Sequence, residues 1–237
     1  MKQSSVEAVP RGLVLALEAS SRTYAVAVGD GETPRAQAAV GRDDPAFAEL
    51  GDLVAGVLAR AGVTFGGIGT IGVDIGPGGL SSIRAAVAYA NGLAFAIGVN
   101  IFPISSLELM AIAAQQGHQA PIMSLKRGQG GNTYAGLFVK GELAGMRHGP
   151  PGSVLPAMAD GLARVRLAGA FKDDVASLLP DVTVEDSGVA EADVAVLYQQ
   201  TRAALATPER LVPFVSPINE ASRVFHELAA NRHVPRP

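Results

Sequence analysis

Apolar and polar positions along the chain change period in a readable order. Leu13 to Glu18 is an apolar run ending on an acid, and Thr23 to Val28 alternates with the period of two that suits a strand. The short polar turn Ala19-Ser20-Ser21-Arg22 joins them, which predicts a hairpin. A third strand is expected over Arg35 to Val40, after the turn at Asp30-Gly31-Glu32. Phe47, Leu50, Val54, Val57, Leu58 and Ala61 then recur at helical spacing and predict a helix over 46–61. Asp44 is placed to cap it, Pro45 to take the first helical position and Gly62 to end it. A strand over Thr70 to Ile75, a Gly-rich turn and a helix over 81–98 follow.

The second half repeats the theme less cleanly. A helix over 105–116 leads to strands at Pro121 to Leu125, Thr133 to Val139 and Leu143 to Arg147, with Gly-rich turns between them. A short helix is expected over Val154 to Leu162, a strand over Val165 to Leu167 and a helix from Glu191 to Ala206. Glu220 to Asn231 predicts a last helix, and His233 to Pro237 should fray. Two hairpin-led runs with covering helices predict an α/β fold with mixed sheets. The order of the first run resembles the ribonuclease-H-like unit of actin-like proteins, which implies two such lobes with the second reduced. The expected division is a loose tail at 1–11, a first lobe at 12–104 and a second at 105–237.

Composition narrows the function. Of the 237 residues, 48% are hydrophobic and 17% charged, enough to bury a substantial core. A net charge of -3 argues against autonomous nucleic-acid binding, which needs a clustered cationic surface to displace counterions. The absence of cysteine excludes disulfides, a thiol nucleophile and Cys-ligated zinc, and fits a cytoplasmic location. No leader pattern opens the chain, and Ile83 to Val99, interrupted by Arg84, Tyr89 and Asn91, reads as a buried helix and not as a membrane span.

Candidate chemistry centres on the turns. In actin-like phosphotransferases two facing hairpin turns hold nucleotide phosphates and a metal. Glu18-Ala19-Ser20-Ser21 stands in the first turn, where hydroxyls and amides can contact phosphate and a carboxylate can hold magnesium through water. In the opposing turn, Leu125 to Thr133, glycines are present but Lys126 or Arg127 stands where an acid is required. A cation there can bind an anion but cannot ligate a metal, so a working ATPase site is not expected. A degenerate anion or nucleotide site would comprise Glu18, Ser20, Ser21, Gly76, Pro77, Gly78 and Arg84. His118, His148, His226 and His233 show no metal-binding spacing, no Gly-x-Ser-x-Gly elbow is present, and no catalytic or metal residue is assigned.

A more specific pattern lies in Gly76-Pro77-Gly78-Gly79-Leu80-Ser81-Ser82-Ile83-Arg84, running into Ala90-Asn91-Gly92-Leu93-Ala94 and then Pro103-Ile104-Ser105-Ser106-Leu107-Glu108. With the opening Leu15 to Ser21 and the late Leu211-Val212-Pro213-Phe214-Val215, it resembles the TsaB family over most of 13–217, most strongly over 70–111. Departures from the family pattern include Glu18 in place of Asp and Asp43-Asp44-Pro45 in place of a His-bearing loop. The resemblance implies a non-catalytic, actin-like partner of a TsaD-type subunit, which transfers threonylcarbamoyl to adenosine 37 of tRNA. A TsaE-type ATPase would join the assembly, with ATP or ADP at a shared interface and tRNA reached only through the complex. The expected partner surface comprises Phe47, Leu50 and Val54 on one helix and Ala85, Ala88, Tyr89 and Gly92 on the next. A homodimer, a paralogue serving another carbamoyl-transfer system and an autonomous ATPase are the alternatives.

Overall fold

A computed structural model describes residues 12–21, 23–41, 43–44, 49–169 and 175–227. Its first sheet contains β1 (Leu13–Glu18), β2 (Thr23–Gly29), β3 (Ala36–Gly41), β4 (Ile68–Asp74) and β5 (Asn100–Ile104), in the order β3-β2-β1-β4-β5. β1, β2 and β3 pair antiparallel, whereas β4 joins β1, and β5 joins β4, in parallel. The second sheet holds β6 (Ile122–Arg127), β7 (Thr133–Val139), β8 (Glu142–Gly149), β9 (Arg164–Ala168) and β10 (Thr183–Asp186), in the order β10-β9-β6-β7-β8. It repeats the first: an antiparallel meander from β6 to β8, then two parallel strands. Each sheet is thus a ribonuclease-H-like unit, and the expected mixed α/β architecture with two lobes is the observed one.

Alternation along β1 decides which helix covers which face. Leu13, Leu15 and Leu17 point to the side of α1 (Leu50–Ala61) and α2 (Leu80–Ile97) and join a core with Val54, Val57, Ile83 and Ala90. Val14 and Ala16 point the other way, towards Leu197 and Tyr198 of α5 (Val194–Ala204). Small residues line that second face, so α5 packs close: a Cβ on Gly72 would meet Thr201 Oγ1 at 1.9 Å. Although α5 comes late in the chain, it therefore covers the first sheet. α3 (Ser106–Gln115) covers one face of the second sheet and α4 (Pro151–Ala159) the other, and α3 also touches α5.

Most expected elements recur with ends moved by a few residues. α1 is described from Leu50, with Glu49 before it and Gly62 left-handed at its end. Pro45 and Phe47 fall outside the described residues. Among the described residues, β10 was absent from the expected strands, its four residues Thr183–Asp186 carrying too little pattern to register. α2 departs from the expected buried helix. It buries Ile83, Ala86, Val87, Ala90 and Ala94, but Ala85, Ala88, Gly92, Phe95 and Ala96 are exposed. By length and composition α2 is also the one described helix apolar enough to cross a membrane. The last helix, α6, is described over Val224–Glu227. Before it, residues 211–218 strap back over the first sheet. Val212 exchanges two backbone hydrogen bonds of 2.8 Å with Ile101, and Ile218 N–H donates to Ile75 O at 2.7 Å.

Candidate functional site

The carboxyl ends of parallel strands are where open α/β sheets place their ligands. β1 ends at Glu18 and its parallel neighbour β4 at Asp74, so the pairing sets two acids side by side. Both are buried. Glu18 Oε1 accepts from Ser20 N–H at 2.7 Å and from Ser20 Oγ at 2.6 Å. Asp74 Oδ1 accepts from Gly76 N–H at 2.7 Å, while Oδ2 is buried without a hydrogen-bond partner. Burial pushes the Glu18 carboxyl up to about 8, and the neighbouring Asp74 charge pushes the same way. Burial raises the Asp74 carboxyl as well. Lys126 opposes both shifts.

Lys126 comes from the second lobe, near the end of β6, and only 6% of it is exposed. Its Nζ donates to Ser20 Oγ at 2.7 Å, lies 3.2 Å from Glu191 Oε2 and is 3.5 Å from Ser21 Oγ. Ser21 Oγ in turn donates to Glu191 Oε2 at 2.7 Å. Thr133 Oγ1 donates to Lys126 O at 3.1 Å and steadies the second turn. Between the lobes runs a cleft of about 350 Å³ whose walls include Ser20, Ser21, Gly78, Gly79, Lys126 and Gln129. Glu220 stands at its rim and accepts from Tyr134 Oη at 3.1 Å. Burial and Glu220 together push the Tyr134 phenol up to about 12.

The Gly-Pro-Gly turn packs directly on the first turn. Gly79 N–H donates to Ser20 O at 3.0 Å, and a Cβ on Gly78 would lie 2.1 Å from that same oxygen. Ser106 Oγ donates to Pro77 O at 2.6 Å and Ser106 N–H to Gly76 O at 3.0 Å, holding the turn from α3.

The structure brings Glu18, Ser20, Ser21, Gly76, Pro77 and Gly78 together, with Ser21 and Gly78 facing the cleft. Arg84 lies apart, exposed on α2, its charge acting on Glu220. Leu50 and Val54 cannot serve as partner-facing residues, because helical period turns them into the core under the first sheet. Phe47 is outside the described residues. Ala85, Ala88 and Gly92 do sit on one exposed stripe of α2, with Tyr89 half-buried beside them. A shallow apolar depression there is lined by Phe65, Ala88, Tyr89, Gly92, Leu93 and Ile97, and Phe95 projects nearby with 92% of its surface exposed. Asp74, Glu191 and Glu220 were missed in the sequence. Asp74 had a usable signal, an acid at a strand end before a Gly-rich turn; the two glutamates have none, since tertiary packing alone brings them to the cleft.

These donors do not fit a magnesium–nucleotide centre. Among the described residues no three acids or histidines converge to hold a metal ion. The second turn presents an ammonium to the place where a metal would face the first.

Comparisons with known proteins agree with this architecture. Residues 47–159 match the family model described as TsaD: tRNA N6-adenosine threonylcarbamoyltransferase. A 64-residue stretch is 36% identical to the tRNA threonylcarbamoyladenosine biosynthesis protein TsaB of Haemophilus influenzae, covering 27% of this chain and 27% of that relative. Two solved structures share the fold at a TM-score of 0.67. One is YeaZ from Pseudomonas aeruginosa, 22% identical over 87% of this chain and 99% of that one. The other is a protein from the same organism with similarity to peptidase YeaZ, 23% identical over 87% of this chain and 98% of that one. The fold is thus that of a two-lobed actin-like protein. The sequence likeness to the Haemophilus influenzae TsaB spans about a quarter of either chain, 27% of each.

Proposed function

We propose that this chain is the non-catalytic partner subunit of a TsaD-type threonylcarbamoyltransferase, supporting synthesis of N6-threonylcarbamoyladenosine at position 37 of tRNA. The observation that carries the reading is the exposed face of α2. Ala85, Ala88 and Gly92 recur every three or four residues along a helix whose opposite face is already packed on its own sheet. Small side chains let a second helix approach closely, and Phe65 and Phe95 offer apolar anchors at the edge of that stripe. Most of the candidate partner residues on α1 are buried, so the surface consists of α2 and its surroundings.

A scaffolding role also agrees with the cleft, where the buried acids are met by an internal cation. The related TsaB of Haemophilus influenzae is named for threonylcarbamoyladenosine biosynthesis, which favours the tRNA pathway over another carbamoyl-transfer system. A TsaD-type subunit would supply the transferase centre, a TsaE-type ATPase would join the pair, and tRNA would be reached through the assembly in the cytoplasm.

Co-expression with the cognate TsaD-type protein tests this. Wild-type chain is expected to co-elute with it on size exclusion and to restore threonylcarbamoylation of tRNA with the other components present. Ala88→Arg should abolish co-elution while leaving the melting temperature of the isolated chain unchanged. Full complex formation by Ala88→Arg would remove α2 as the partner surface.

A further inference from the structure

The stretch from Leu211 to Phe225 reaches both lobes and is held to them by unlike means. At the first lobe its backbone is tied. Val212 pairs with Ile101 of β5, Val215 meets both ends of the Asn91 side-chain amide on α2, and Ile218 N–H donates to Ile75 O. At the second lobe the ties are between side chains. Tyr134 Oη donates to the exposed Glu220, and the Phe225 ring lies 5.4 Å from that of Tyr134 and 6.2 Å from that of His148. Tyr134 and His148 are themselves stacked at 4.4 Å.

Between these anchorages lies a turn that satisfies its own groups. Asn219 N–H donates to Ser222 Oγ, Ser222 N–H returns to Asn219 O, and Ala221 N–H donates to Asn219 Oδ1, each at 2.9 Å. A turn bonded in this way can move as one piece without leaving those amides unpaired. Its position gives such a movement a consequence, because Ile218, Asn219 and Glu220 form part of the cleft wall together with Leu80 of α2.

We propose that residues 218–225 are a clasp that closes one side of the cleft, pivoting near Ile218 and releasing at the second lobe when Glu220 parts from Tyr134 and Phe225 leaves the ring stack. The second-lobe end yields first because water competes for a hydrogen bond to an exposed carboxylate, whereas the first-lobe end is held by paired backbone groups. Access to the cleft is then set by a local opening. The lobes themselves stay joined, since α3 touches α5 and Lys126 still reaches Ser20. This goes beyond the partner-subunit reading and stands without it.

The chain has no cysteine, so Leu80→Cys supplies a single thiol in the cleft wall whose reaction with a soluble disulfide reagent reports opening. That reporter is compared in the full-length chain with and without Tyr134→Phe, which removes the hydroxyl and keeps the ring. Tyr134→Phe is expected to speed the thiol reaction by about fivefold, the effect of one lost hydrogen bond on an opening equilibrium. Hydrogen exchange at the Val212 and Ile218 amides should keep its wild-type rate, because the pivot end does not move. Glu220→Ala should act like Tyr134→Phe, and the two together should open the cleft no further than either alone. An unchanged thiol rate in folded Tyr134→Phe would overturn the clasp. Faster exchange at Val212 and Ile218 to the same extent would also overturn it, because the whole segment would then be loosening. Additive effects of the two substitutions would remove the Tyr134–Glu220 bond as the catch. Should Tyr134→Phe fail to fold, Glu220→Ala, at an exposed position, is read by the same thiol and exchange criteria.

Discussion

Glu18 shows how strongly a single position in this fold depends on its surroundings. Its carboxyl, raised to about 8 mainly by burial, holds a proton in the folded chain at pH values where the unfolded chain has lost it. A folded-state value above the unfolded one means that this contribution to stability is complete below about pH 4.5 and is lost as pH rises towards 8. Denaturation across that window should therefore show stability falling with pH, and Glu18→Gln should flatten the slope. At pH 8 that variant is expected to be more stable than wild type, because it has no charge to bury. A steeper slope in the variant would contradict the assignment. Gly78 illustrates a steric constraint. Any side chain there meets Ser20 O, and the obstacle is backbone that cannot swing aside. Gly78→Ala should cost about 3 kcal/mol or more, readable as a shift of the urea midpoint.

At the scale of elements, α2 presents two unlike faces. Its inner face, with Ile83, Ala86, Ala90 and Ala94, holds the helix on the first sheet. The outer face, with Ala85, Ala88, Gly92 and Phe95, is exposed. Phe95→Ser is accordingly expected to leave stability within about 0.5 kcal/mol and, on the proposed function, to weaken co-elution with the TsaD-type protein. The strap at 211–218 is held to α2 by Asn91. Its side-chain amide donates to Val215 O at 2.9 Å and its Oδ1 accepts from Val215 N–H at 3.0 Å. Asn91→Ala should cost about 1–3 kcal/mol and speed hydrogen exchange at Val215 ahead of the sheet amides. Unchanged exchange there would show that the Val212–Ile101 pairing suffices to hold the strap.

For the whole molecule, chain order and packing order differ. α5 follows the second sheet in sequence but packs on the first, with Leu197 and Tyr198 in its core and Tyr198 Oη donating to Gly31 O at 2.8 Å. The strap returns to the same sheet, and Lys126 bridges the cleft. The two lobes should therefore unfold together. Calorimetry is expected to give one transition with equal calorimetric and van't Hoff enthalpies. Leu197→Ala should lower that single transition, by about 2–5 kcal/mol, and should not split it into two.

The residues by themselves determined the class of fold. Period-two runs separated by Ser-rich and Gly-rich turns fixed the hairpins, helical spacing fixed α1 and α2, and the Gly-Pro-Gly segment pointed to the TsaB family. Those are local signals, carried by neighbours in the chain. The cation at Lys126 was also legible as a departure from an acidic turn. What it touches was not, because Ser20 and Glu191 lie far from it along the chain and only the facing of two sheets brings them within hydrogen-bond reach. Likewise, which face of α2 stays open follows from which strand face its residues meet, and that in turn from α5 taking the other side of the sheet. Periodicity gives a helix its stripes; tertiary packing decides which stripe is buried, because burial is a property of what lies opposite.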